Sequence, residues 1–148
     1  MAIMDAKTVF ANQKALSITS GGSLVLGSTV WSGAIASGGA QIVDQEKAGD
    51  AVGQELTFKA HVGNTAIVGG STAAALQLTI QTSEAVDSGW RDLVSGPALT
   101  VGTSFPKGER LFQVRLPPGS DRYLRLVAKA PTAAISSGTI VAYLTRDL

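Results

Sequence analysis

The stretch Pro117–Ala130, PPGSDRYLRLVAKA, joins a turn to an alternating run. Pro118 and Gly119 hold the second and third places of Pro117-Pro118-Gly119-Ser120, as a type II turn requires. Beyond the turn, Leu124, Leu126 and Ala128 alternate with Tyr123, Arg125, Val127 and Lys129. A period of two marks a strand with one buried face. Two readings of Arg122, Tyr123 and Arg125 are then open. They form a catalytic or phosphate-binding cluster, or they are the outer face of a strand whose inner face supports a core. The rest of the chain decides between them.

The same period recurs upstream and downstream. LTFKAHV sets Leu56, Phe58, Ala60 and Val62 against Thr57, Lys59 and His61. LQLTIQT sets Leu76, Leu78 and Ile80 against Gln77, Thr79 and Gln81, and LFQVRL sets Phe112, Val114 and Leu116 against Gln113 and Arg115. TIVAYLT, from Thr139, is apolar on both faces and reads as a central strand or a packed edge. Ala15–Ile18, Leu24–Leu26 and Leu99–Val101 are weaker strand candidates. DAKTVFANQKAL has spacing compatible with about three helical turns, and DQEKAGDAV with one more. SGAIASGGAQ (32–41) and GNTAIVGGSTAAA (63–75) are rich in small residues and read as loops. The expectation is one all-β domain over residues 1–148, with an N-terminal extended or short helical segment over about 1–22. About eight strands with long crossing connections fit an antiparallel β-sandwich of jelly-roll type.

Composition narrows the function. The chain has 148 residues, 45% of them hydrophobic and 16% charged, so it is long and apolar enough for one real core. A net charge of +1 provides no global attraction to nucleic acid or to an anionic membrane. No apolar run approaches the ~20 residues of a spanning helix. MAIMDAKTVF lacks the basic region and apolar run of a secretory signal, so the expected place of synthesis is a cytoplasm. The absence of cysteine removes disulfides and thiolate metal sites.

The residues of catalysis are also sparse. His61 is the single histidine and lies on the polar side of its strand, where a solvated or structural role suits it. No Gly-x-Ser-x-Gly elbow and no Gly-x-Gly pair occurs. GSLVLGST, from Gly22, has the glycine spacing of a phosphate loop without its lysine. Asp44, Glu46 and Asp50 are the densest carboxylates and read as a solvated acidic loop ahead of a hard-cation site. In DSGWRD, Asp87 and Asp92 flank Trp90 and Arg91; this is a strand end with a packed indole, or a sugar or partner contact. No catalytic residue, cofactor or metal site is expected. Tyr123, Arg125, Arg122, Trp90 and Arg91 remain as candidate interface residues, because tyrosine, tryptophan and arginine dominate binding hot spots.

LPPGSDRYLRLVAKA followed by GTIVAYLTRD resembles the C-terminal half of the jelly-roll cement, or decoration, proteins of tailed bacteriophage capsids. GQELTFKAHV and LQLTIQTSE are similar to two earlier strands of that family, and DAKTVFANQKAL to its opening segment. The similar segments follow the family's order and cover most of the chain. A Gly-rich insertion from about Ser28 to Ala51 departs from the family's pattern. The resemblance implies a non-enzymatic virion protein on the capsid exterior. It would bind the major capsid protein, stabilise contacts between its subunits, and form homo-oligomers, dimers ahead of trimers, with no direct contact to nucleic acid or membrane. The alternative is a carbohydrate-binding or adhesion jelly-roll module with DSGWRD as its site. A metal-dependent sugar-modifying enzyme of cupin type is disfavoured, because one histidine cannot make a histidine cluster.

Overall fold

The computed structural model describes residues 8–27, 37–45 and 56–145. Thirteen strands occur there and no helix: β1 (Val9–Ala15), β2 (Ser23–Leu26), β3 (Gly39–Ala40), β4 (Val43–Asp44), β5 (Thr57–Val62), β6 (Val68–Gly69), β7 (Ala75–Ser83), β8 (Arg91–Ser95), β9 (Leu99–Thr100), β10 (Arg110–Arg115), β11 (Tyr123–Lys129), β12 (Ile135–Ser137) and β13 (Thr139–Thr145). Eight of them have four or more residues and build two antiparallel sheets. One sheet runs β10-β5-β13-β1, extended by β3; the other runs β2-β11-β7-β8. Numbered among the eight long strands, these orders are 6-3-8-1 and 2-7-4-5. Consecutive strands thus alternate between the layers, except for the β7–β8 hairpin within one sheet, in the manner of a jelly roll, as the sequence predicts.

The five short strands account for the excess over the expected eight. β4 continues the edge begun by β2 along β11, and β9 continues the edge begun by β8 along β7. β12 and β6 pair with each other across one end. These pairings hold two or three residues each, too few to leave a period in the sequence.

The alternations are read on the correct faces. Leu124, Leu126 and Ala128 of β11 pack in one core with Leu76, Leu78 and Ile80 of β7. Phe58, Ala60 and Val62 of β5 and Ile140, Ala142 and Leu144 of β13 come from the opposite layer. Three phenyl rings bind that layer together. Phe58 meets Phe10 edge-on at 5.6 Å between centroids and Phe112 at 5.9 Å. Such pairs stabilise by about 0.5–1.5 kcal/mol beyond the area they bury. β13 lies between β5 and β1, the central position that TIVAYLT suggests, and Val141 on its second face is buried as well.

Of the extended and helical readings of DAKTVFANQKAL, its described residues take the extended one, as the strand Val9–Ala15. β1 pairs with β13 on one side and β3 on the other. Its register shifts twice, between Val9 and Ala11 and between Ala11 and Lys14, and Gln13 sits at φ +53°. Bulges of this kind break the period of two, so the segment mimics helical spacing. Pairing on both edges then overrides the weak local preference. Of DQEKAGDAV, Asp44 lies in β4, and residues 46–52 fall outside the described set. The small-residue segment 63–75 is mostly bends, turns and irregular chain, as read from sequence, but it also carries β6 and is anchored into the core at two points. Ile67 and Ala74 are fully buried, and Ile67 bridges to Phe105. Small residues are needed because backbone passes close to backbone. Gly138, at φ +130°, would place a Cβ 2.8 Å from the Ile67 Cα.

Leu126 is wholly buried where β11 crosses the core. An aspartate there has no partner, and the cost of several kcal/mol rivals a domain's whole stability of ~5–15 kcal/mol. Leu126→Asp is expected to be insoluble or to lack a cooperative melt by circular dichroism. A folded, cooperatively melting variant would show that the faces of β11 are reversed.

Candidate functional site

The outer face of the β2-β11-β7-β8 sheet gathers the candidate interface residues. Register sets the arrangement. β11 runs against β7 with Tyr123 opposite Ser83, Arg125 opposite Gln81, Val127 opposite Thr79 and Lys129 opposite Gln77. β8 adds Asp92 opposite Gln81. Residues opposed in this way have Cβ atoms about 5 Å apart, so long polar side chains meet across the strands.

A chain of hydrogen bonds follows that row. The Gln81 amide nitrogen donates to Asp92 Oδ1 at 2.9 Å, and Arg125 Nε donates to Gln81 Oε1 at 2.8 Å. The Arg125 guanidinium also lies over the Trp90 ring, 4.3 Å from its centroid. Burial against these neighbours lowers the Arg125 pKa from its ordinary value, though a guanidinium stays charged throughout the physiological range. Cation–π contact of this type contributes about 0.5–1 kcal/mol at exposed sites and more where water is excluded.

Arg122 and Arg91 are held differently. Arg122 forks onto the carboxylate of Asp44 in β4, with Nε to Oδ1 at 2.9 Å and Nη2 to Oδ2 at 3.1 Å. Its guanidinium also sits 5.1 Å from the Tyr123 ring centroid. Arg91 donates from Nη2 to the Gly119 carbonyl at 2.7 Å and pairs with Asp121 at 3.4 Å. Arg91 therefore pins the turn that opens β11, in which Gly119 takes φ +92° as a type II turn demands. Beneath it, the buried Thr82 hydroxyl accepts from the Asp121 backbone N–H at 2.8 Å and donates to the Tyr123 carbonyl at 3.0 Å. Ser83 donates to the Ser88 carbonyl and accepts from the Ala85 N–H, which shapes the loop that delivers Trp90.

All five residues named from sequence thus lie in one region: two guanidinium–aromatic stacks join Arg125 to Trp90 and Arg122 to Tyr123, and Arg91 follows Trp90 in sequence and binds the turn that leads into β11. Three of their acceptors, Gln81, Asp44 and Asp121, are not singled out as part of this face by the sequence, whereas Asp92, which accepts from Gln81, belongs to the DSGWRD contact already noted. Alternation alone turns Gln81 outward, but only the register between β7, β8 and β11 brings it to Arg125. Asp44 belonged to a supposed acidic loop; it lies in β4 and neutralises Arg122. Among the described residues, no group of three or more histidine, aspartate or glutamate side chains could hold a metal ion. No helix among them is long and apolar enough to cross a membrane.

The other sheet presents a second polar face with His61. The imidazole meets the Tyr143 ring edge-on at 6.3 Å, opposite Val141 on one side and Arg110 on the other. Burial lowers its pKa below the ordinary 6.5, because desolvation penalises the charged form. The sign follows. On acidification the unfolded chain takes up this proton first, so the contribution is present above pH 6.5 and lost as pH falls through the folded value.

No known protein family and no curated protein matches this sequence.

Two outcomes are expected. Paired Tyr123→Ser and Arg125→Ser changes remove one guanidinium–indole stack and one charge-assisted hydrogen bond from a surface, lowering stability by about 1–3 kcal/mol. The variant keeps a cooperative melt by circular dichroism, and an unfolded variant would place this face in the core. For His61→Gln, stability near neutral pH stays within about 1 kcal/mol of wild type. Between about pH 7.5 and 5, wild type loses more stability than the variant. Denaturant melts at several pH values check this, and parallel curves would contradict it.

Proposed function

We propose that this protein is a capsid cement protein of a tailed bacteriophage. It binds the outside of the head, bridges neighbouring copies of the major capsid protein and has no catalytic activity. The observation that carries the reading is the coincidence of resemblance with fold. The five segments similar to the cement family contain β1, β5, β7, β11 and β13. Three of these are adjacent in one sheet, and β7 with β11 is the central pair of the other. The resemblance therefore falls on the long strands of a jelly roll, in the family's order.

Physical considerations support the role. A sandwich of long-range strand pairs is a stiff clamp that needs no disulfide. Many copies on one shell convert modest individual contacts into strong overall retention. The face with Tyr123, Trp90 and Arg125 is the docking surface in this reading, with Arg122 and Arg91 at its margin. The carbohydrate-binding alternative is weakened, because the Trp90 ring face that Arg125 covers is not free to stack on a sugar.

Shells lacking the protein are expected to assemble normally but to release DNA at a lower temperature. Adding back purified protein should restore the release temperature, read by dye fluorescence during heating. Equal release temperatures with and without the protein would remove the cement role, and a glycan array then becomes the next assay.

A further inference from the structure

Arg125 differs from its two neighbours in charge balance. Arg122 is neutralised by Asp44 and Arg91 by Asp121. Arg125 has only neutral partners, Gln81 at Nε and the Trp90 ring beneath. Its Nη1 and Nη2 groups have no hydrogen-bond partner among the described residues. The Trp90 indole N–H and the Tyr123 hydroxyl are likewise without a partner there.

The guanidinium is nevertheless fixed. Gln81 can present only its oxygen to Arg125, because its amide nitrogen is committed to Asp92. A flipped amide would set oxygen against carboxylate and NH2 against guanidinium, two repulsive contacts in place of two attractive ones. The Trp90 ring then holds the guanidinium plane from one side. What remains is a pre-set pair of donors carrying one uncompensated positive charge.

We infer that Arg125 is the anchor of this face, its Nη pair forking onto a single carboxylate side chain of the docked protein. The inference rests on the reading of this face as the docking surface. A carboxylate fits better than a phosphate for reasons of charge. Among the described residues Arg125 is the one arginine of this face without a carboxylate partner, and Lys129, four residues further along β11 and so about 13 Å away, is too distant to share one small anion with it, whereas a phosphate near two negative charges calls for several cations or amide donors. Asp92, bonded to Gln81, already places one carboxylate in this row, which disfavours a dianion more than a single carboxylate. One planar, singly charged acceptor matches the fork.

Two assays on the full chain test this, with Arg125→Lys, which keeps the charge and loses the fork, and Lys107→Gln, which removes an exposed charge elsewhere. The first is co-sedimentation with cement-free shells. The second follows the Arg125 Nε–H and Trp90 Nε1–H resonances during titration with poly-L-glutamate or inorganic phosphate. Arg125→Lys should weaken shell binding by about tenfold or more while Lys107→Gln stays within about twofold. Poly-L-glutamate should move both resonances in wild type, and phosphate at equal charge should not. Wild type that ignores shells but titrates with poly-L-glutamate through Arg125 would leave the anchor standing and remove the cement reading. Wild type that binds shells no better than Arg125→Lys would do the reverse. Phosphate acting as well as poly-L-glutamate, or wild type responding to neither shells nor poly-L-glutamate, also overturns the carboxylate anchor.

Discussion

The seven-residue ladder between β7 and β11 is the interaction on which the rest depends. It runs without a break from Tyr123 opposite Ser83 to Lys129 opposite Gln77. Both strands are interior to their sheet, with β2 and β4 on the far edge of β11 and β8 and β9 on the far edge of β7. Backbone groups on both edges are therefore paired, as buried donors and acceptors must be. An unbroken register also fixes parity. A slip of one residue would carry Leu124, Leu126 and Ala128 to solvent and bring Arg125 into the core. The hydrophobic layer and the polar face are two consequences of one constraint.

That parity sets the two faces of the Arg122–Leu126 segment. The arginines and the tyrosine lie outside and the leucines inside, so the segment is first a structural strand. Its outer side chains are nonetheless ordered beyond what solvation alone requires. Arg122 is forked, Arg125 is stacked and aimed, and Arg91 ties the preceding turn to β8. Exposed ion pairs of this kind add only about 0–1 kcal/mol each to stability. Their effect lies in geometry: they remove side-chain freedom, so that in the proposed docking role the entropy of ordering need not be lost on binding.

Much of the fold was legible in the sequence because single-faced strands advertise themselves. Phe58, Leu78, Leu126 and Ile140 were each placed by period or by a doubly apolar run. The failures have physical causes. β1 carries two register shifts and a residue at positive φ, so its period is broken where the structure pairs it on both edges. Segments such as β6 and β12 are two or three residues long, and their existence depends on closures over more than sixty residues of chain. At the candidate site, residue types were readable and partnerships were not. Tyrosine, tryptophan and arginine stood out by chemistry, while Gln81 and Asp44 became meaningful only through their opposition to Arg125 and Tyr123.

One sheet forms a core wall with its inner face, and its outer face is the docking surface proposed above. A side-chain-resolution cryo-electron map of cement-free shells decorated with the purified protein tests it most directly. The account predicts the outer face of β2-β11-β7-β8 against the shell, with Arg125 within hydrogen-bond distance of an aspartate or glutamate of the capsid subunit. A map in which that face points to solvent, with the β10-β5-β13-β1 sheet or a loop edge against the shell, would contradict it.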